Sequence, residues 1–159
     1  MEGGVQGGAG QSGRDAAVSG RARFNWVGLA VEDLARSRRF YEELLGFTYE
    51  RELVPPDEPT AKLCQVGPPA NLTAVYLRLD GFVLELLRFD REGNPPPRSR
   101  PMNEPGLTHL SVTVDDLADV VARTPGYGGT VLRDTDMGAA ICVRDPDGTL
   151  VELLAAPQR

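Results

Sequence analysis

A glutamate sits in the middle of an apolar strand twice in this sequence. Residues 80–87 read Asp-Gly-Phe-Val-Leu-Glu-Leu-Leu and residues 147–154 read Asp-Gly-Thr-Leu-Val-Glu-Leu-Leu, an offset of 67 with five of eight positions identical. Each copy is an Asp-Gly turn feeding a strand. Strands this apolar are buried on both faces, and a buried carboxylate needs a partner such as a cation or a metal. Glu85 and Glu152 are therefore candidates for two halves of one site. His109, the single histidine of the chain, is the third residue to place.

The elements that must carry these side chains repeat as well. Val27, Leu29 and Val31 alternate with Trp26, Gly28 and Ala30, which predicts a strand from Phe24. Asp33 reads as the N-cap of a helix over 34–45, with Gly46 just past its end. Strands are expected over 47–53 and 71–79, with Pro55, Pro56 and Pro59 breaking regular structure between them. The pattern restarts after the proline-rich connection 91–105. Leu110, Val112 and Val114 oppose His109, Ser111 and Thr113, Asp116 opens a helix that Pro125 and Gly126 end, and strands near 130–135 and 139–144 precede the last one.

Val31-Glu32-Asp33-Leu34 aligns with Val114-Asp115-Asp116-Leu117 at an offset of 83, which matches Trp26 to His109 and Gly28 to Ser111. The offset falls from 83 to 67 along the unit, so the first copy is longer by 16 residues, assigned to 54–70. The chain is thus an internal duplication of a strand–helix–three-strand module. One side of each first strand packs on the helix; the other side, smaller and more polar, faces away. Two such faces curled toward each other enclose a cup, and a symmetric repeat points Trp26, Glu85, His109 and Glu152 inward at one depth. Tyr76 and Arg78 alternate with Val75, Leu77 and Leu79 and line the same cup, Arg78 as a candidate for an anionic substrate. Asp80, Asp145 and Asp147 read as turn residues, and Arg36, Arg38 and Arg39 as a solvated helix face.

Composition sets outer bounds. The 159 residues, 41% hydrophobic and 25% charged, suit one globular core. A net charge of −6 argues against nucleic acid or an anionic membrane as partner. Cys64 and Cys142 lack metal-ligand spacing and read as reduced thiols of a cytoplasmic protein. Residues 1–21 read as a disordered tail, 22–90 as the first module, 91–105 as a linker and 106–157 as the second module, with 22–157 forming one domain.

Trp26-Val-Gly-Leu-Ala-Val-Glu-Asp-Leu-Ala-Arg-Ser-Arg-Arg-Phe-Tyr-Glu-Glu-Leu-Leu-Gly-Phe47 resembles the opening signature of the vicinal oxygen chelate (VOC) superfamily, the glyoxalase, bleomycin resistance protein and dioxygenase group. Arg144-Asp-Pro-Asp-Gly-Thr-Leu-Val-Glu-Leu-Leu154 resembles its closing signature. The resemblance implies an α+β fold of two tandem βαβββ modules, whose curved mixed sheets form a cup around a divalent metal. Carried over by position, the ligand places fall on Trp26, Glu85, His109 and Glu152. Trp26 has no lone pair to offer, so His109, Glu85 and Glu152 remain as metal ligands, a set suited to Zn, Ni, Co, Fe or Mn.

The resemblance further implies a lyase or isomerase of the glyoxalase or epimerase type, acting on a small carbonyl or thioester through an enediolate-type intermediate. Glu85 or Glu152 would move the proton, and Trp26, Ser111 and Arg78 would contact substrate. An ordinary extradiol dioxygenase needs two histidines and is disfavoured. The alternative is a metal-free protein that binds a drug or metabolite, resembling the bleomycin resistance proteins, with Trp26 walling the cup. The family pairs its modules within one chain or across a homodimer.

Overall fold

In a computed structural model, residues 22–98 and 100–157 are described; the stretch read as a tail, 1–21, lies outside them. The chain forms β1 (Val27–Ala30), α1 (Leu34–Arg38), β2 (Thr48–Leu53), α2 (Asp57–Leu63), β3 (Leu72–Leu79), β4 (Phe82–Phe89), β5 (Leu110–Val114), α3 (Leu117–Arg123), β6 (Thr130–Leu132), β7 (Ala140–Arg144) and β8 (Leu150–Ala155). Two four-stranded sheets result, ordered β1-β4-β3-β2 and β5-β8-β7-β6. In each, the first strand runs parallel to the last and the other pairings are antiparallel. This is the duplicated strand–helix–three-strand unit, an α+β fold of two tandem modules.

Local chemistry explains the element ends. The Asp33 and Asp116 side chains accept from the backbone N–H groups of Arg36 and Asp119 and cap α1 and α3. The helix predicted over 34–45 continues past Arg38 as a wide π turn, Arg39–Leu44, which presents Phe40, Tyr41 and Leu44 together to the core. Asp80 and Gly81, both at positive φ, make the tight turn joining β3 to β4.

Residues 54–70 depart from expectation by containing α2. Pro59 lies in the first helical turn, where its missing N–H costs no hydrogen bond, and Asp57 and Glu58 favour that end of the helix dipole. Leu63 is 83% exposed, while Thr60 and Ala61 face inward. The second strand of the second module, β6, is also shorter than expected, because Arg133–Thr135 turn as a 3₁₀ helix after Leu132.

A single apolar core joins the modules. It takes Phe40, Tyr41, Leu77, Leu84 and Leu86 from the first and Val112, Val121, Val143, Val151 and Leu153 from the second. One face of each sheet and the helical segments packed on it supply these residues. The other face of the first sheet carries a smaller cluster of Ala74, Tyr76 and Val83. Cys64 and Cys142 are unpaired. No helix among the described residues is long and apolar enough to cross a membrane.

Candidate functional site

Strand register decides the company each glutamate keeps. β1 pairs with β4, so Gly28 lies beside Glu85, and β3 pairs with β4, so Tyr76 lies on its other side. The Tyr76 hydroxyl donates to Glu85 Oε1 at 2.5 Å. Glu85 is only 9% exposed, and the buried carboxylate finds a neutral phenol where the sequence suggested a cation or a metal. Burial first, then the hydrogen bond to Glu85, raises the Tyr76 phenol above its ordinary pKa. The Trp26 ring meets Tyr76 edge-on at 5.3 Å, and the Arg51 guanidinium lies over the Tyr76 ring at 4.1 Å. A Cβ on Gly28 would come within 3.3 Å of Glu85 Oε2 and 3.1 Å of Leu87. The missing side chain leaves Oε2 its space.

The second module places His109, Ser111 and Glu152 together. Ser111 and Glu152 are register partners on β5 and β8, and the Ser111 hydroxyl donates to Glu152 Oε2 at 2.7 Å. His109 Nε2 is 3.8 Å from the same oxygen, and the two side chains are 29% and 33% exposed. The other ring nitrogen, Nδ1, lies 2.9 Å from Thr108 Oγ1. Glu152 is thus more open than its apolar strand suggested, since its face of the sheet is bounded by exposed Ser111 and Thr113.

Glu85 and the His109/Glu152 pair lie on different sheets. Among the described residues, no three His, Cys, Asp or Glu side chains gather at metal-binding distance. Arg78 stands on the same sheet face as Tyr76, with its guanidinium on Glu50 at 2.7 Å. A cleft of about 700 Å³ opens between the modules. Its walls include His109, Ser111 and Thr113 on one side and Val27, Leu29 and Phe82 on the other, while Trp26, Glu85 and Glu152 lie outside it. Arg98 and Arg100 of the linker border it, both bound to Glu104.

Two groups of contacts carry no clear sequence signal. Arg51 reaches the Tyr76 face because β2 bulges between Tyr49 and Arg51. Asp145 and Asp147, read as turn residues, also tie the modules together. Asp147 accepts from Arg36 at 2.8 Å, from the Ser37 hydroxyl and from the Glu32 N–H. Asp145 accepts from the Tyr41 hydroxyl and from the N–H groups of Asp147 and Thr149. Burial outweighs these bonds and raises the Asp145 pKa.

A paired-module fold with an acidic, aromatic half-face on one sheet and a His/Glu half-face on the other defines the class, and comparison agrees. The model of the Glyoxalase/Bleomycin resistance protein/Dioxygenase superfamily matches residues 23–153, and the chain belongs to that superfamily. A glyoxalase family protein from Bacillus cereus superposes with a TM-score of 0.73 at 20% identity, covering 87% of this chain and 97% of that one. The trypanothione-dependent glyoxalase I of Leishmania major gives 0.59 at 26% identity, with 85% and 87% covered. A fosfomycin resistance protein from Listeria monocytogenes gives 0.56 at 16% identity, with 88% and 93% covered. No protein of curated function matches the sequence.

Proposed function

We propose that the protein is a divalent-metal enzyme of the glyoxalase or epimerase type, acting on a small carbonyl or thioester substrate, with its site completed by a second copy of the chain. The observation that carries the metal is the His109–Glu152 pair: an imidazole nitrogen and a carboxylate oxygen 3.8 Å apart on one open sheet face. Both can turn a lone pair to one ion, and the donor chemistry fits Zn, Ni, Co, Fe or Mn. Two donors hold an ion weakly. Glu85 is the natural third, but it stands on the other sheet.

Two identical chains resolve this. β1 ends one sheet and β5 the other, and a twofold pair sets β1 of one copy beside β5 of the other, twice over. Phe24 and Leu107, equivalent at the offset of 83 and three residues before those strands, are 73% and 76% exposed. Apolar side chains left bare at equivalent places beside two strand edges suit burial in such a pair.

A bound ion supplies Lewis acidity at a carbonyl oxygen. The rest falls to the chain's own groups. Tyr76 fixes Glu85 through Oε1, leaving Oε2, above Gly28, to bind the ion or accept a proton from the substrate carbon. Ser111 orients Glu152, and Trp26 walls the site. Cobalt(II) titrated into chelator-treated protein tests this through its visible absorption. Wild type binds at micromolar concentration, and His109→Ala and Glu152→Gln each weaken binding by about 10-fold or more, at least the loss that follows removal of an outer-shell partner. No absorption at any concentration refutes the metal.

One observation favours a second reading, a metal-free binding protein of the same fold. The Trp26–Tyr76 pair is an aromatic wall at the place where the first ligand would stand, and Trp26 is 40% exposed. Quenching of Trp26 by a ligand, unchanged by chelator, identifies this case.

A further inference from the structure

The register of the first sheet sets Gly28, Glu85, Tyr76 and Arg51 in one row across all four strands. The corresponding row of the second sheet is Ser111, Glu152, Cys142 and Leu132. Only the glutamate is common to both. The second sheet folds with a thiol and an alkyl group in the places of the phenol and the guanidinium, so the shared architecture does not require them.

Arg51 owes its place to the bulge. With Tyr49 opposite Leu77, an unbroken ladder would pair Glu50 with Tyr76 and turn Arg51 to the core side beside Val75; the extra residue turns Arg51 over instead. Its side chain is half-exposed, and its acidic neighbour Glu50 is 3.6 Å away, already engaged by Arg78 at 2.7 Å. A planar guanidinium held against Tyr76, half-exposed and with no carboxylate closer than Glu50 among the described residues, suits the reading of a carboxylate. Trp26, against the same tyrosine, offers an aromatic surface beside it.

We infer that Arg51 and Trp26 form a subsite for a carboxylate ligand with a planar apolar body. Arg51 takes the carboxylate, Trp26 takes the body, and Glu85 faces the atom to be altered. The Arg51 guanidinium lies over the ring of Tyr76, whose hydroxyl reaches Glu85, so the ligand carries its carboxylate within about two strand spacings, ~10 Å, of its reacting carbon. The inference rests on the reading above that this face receives the substrate, and it names the substrate's chemical class.

Trp26 is the only tryptophan, so its fluorescence reports the subsite directly. Benzoate and its neutral counterpart benzamide are titrated into wild type, Arg51→Gln and, as a control on the solvated face of the first helix, Arg39→Gln, with and without cobalt(II), and folding is checked by thermal melting. Benzoate should quench Trp26 saturably, with benzamide binding about 10-fold more weakly, as loss of a charge-assisted bidentate contact predicts. Arg51→Gln should weaken benzoate to a similar degree, and Arg39→Gln by less than twofold. Equal binding of benzoate and benzamide, equal loss in both variants, or no saturable quenching overturns the subsite. Cobalt absorption on the same samples reports His109 and Glu152 separately. Cobalt bound with benzoate indifferent to Arg51 removes the subsite alone; benzoate bound through Arg51 with no cobalt signal removes the metal alone.

Discussion

Tyr76 donates its hydroxyl proton to Glu85, and Ser111 donates its own to Glu152. One duplicated position therefore holds two carboxylates in different company, one buried against a phenol and one open beside an imidazole. Environments that differ this way suit a division of labour between proton transfer and ion binding. The Tyr76–Glu85 bond has a measurable energy. Tyr76→Phe leaves a buried carboxylate oxygen without its donor and should cost about 1–2 kcal/mol. In a double-mutant cycle with Glu85→Gln, denaturant unfolding should return a coupling of about 1 kcal/mol; additivity within error would mean that the two side chains are neighbours without an interaction. The sequence showed that Glu85 needs a partner and set Tyr76 on a cup-facing strand. The two-residue Asp80-Gly81 turn already sets Leu79 opposite Phe82 and so Tyr76 opposite Glu85; what the sequence did not show is that a phenol, in place of a cation, satisfies the buried carboxylate.

At the scale of elements, the duplication was the most legible feature. Alternation placed Gly28, Ser111 and the glutamates on the faces they occupy, and both N-caps fall at the predicted aspartates. Features present in one module only were hidden. The bulge in β2 reverses which residues face out, and alternation alone assigns Arg51 to the wrong side. The helix in 54–70 was masked by prolines that its first turn tolerates. Asp145 and Asp147 look like turn chemistry in sequence because their partners, Tyr41, Arg36 and Ser37, lie more than 100 residues away. Their tie between α1 and the β7–β8 turn gives two expectations. Asp147→Ala strands the Ser37 hydroxyl and the Glu32 N–H and should lower stability by about 3 kcal/mol in denaturant melts; a change within 0.5 kcal/mol, roughly that of a surface substitution, would show that the tie is incidental. Burial raises the Asp145 pKa, so the folded state binds that proton more tightly than the unfolded chain does. Its contribution to stability is largest at low pH and is lost as pH rises through the folded pKa. Between pH 7 and 4 the melting temperature of wild type should therefore gain on that of Asp145→Asn; a gap moving the other way would mean a depressed pKa.

For the molecule as a whole, one chain presents two complementary half-faces. The core, the Asp147 tie and the π turn hold the modules by their helix-covered sides, and the proposed second copy would take the edges of β1 and β5 and the faces behind them. The position matched to His109 is Trp26, so on the proposed reading each completed site would have an aromatic wall opposite an imidazole, with three ion donors drawn from two chains. Complementation tests this central claim most directly. His109→Ala keeps the Glu85 half-face, and Glu85→Gln keeps the His109 half-face. The two variants are unfolded together, refolded as a mixture, and checked for mixed dimers by native mass spectrometry before cobalt titration. Random pairing gives one intact site in half of the dimers, so about one quarter of the wild-type cobalt sites should return, although each variant alone binds weakly. Mixed dimers that bind no more cobalt than the two variants measured separately would contradict a site shared between copies of the chain.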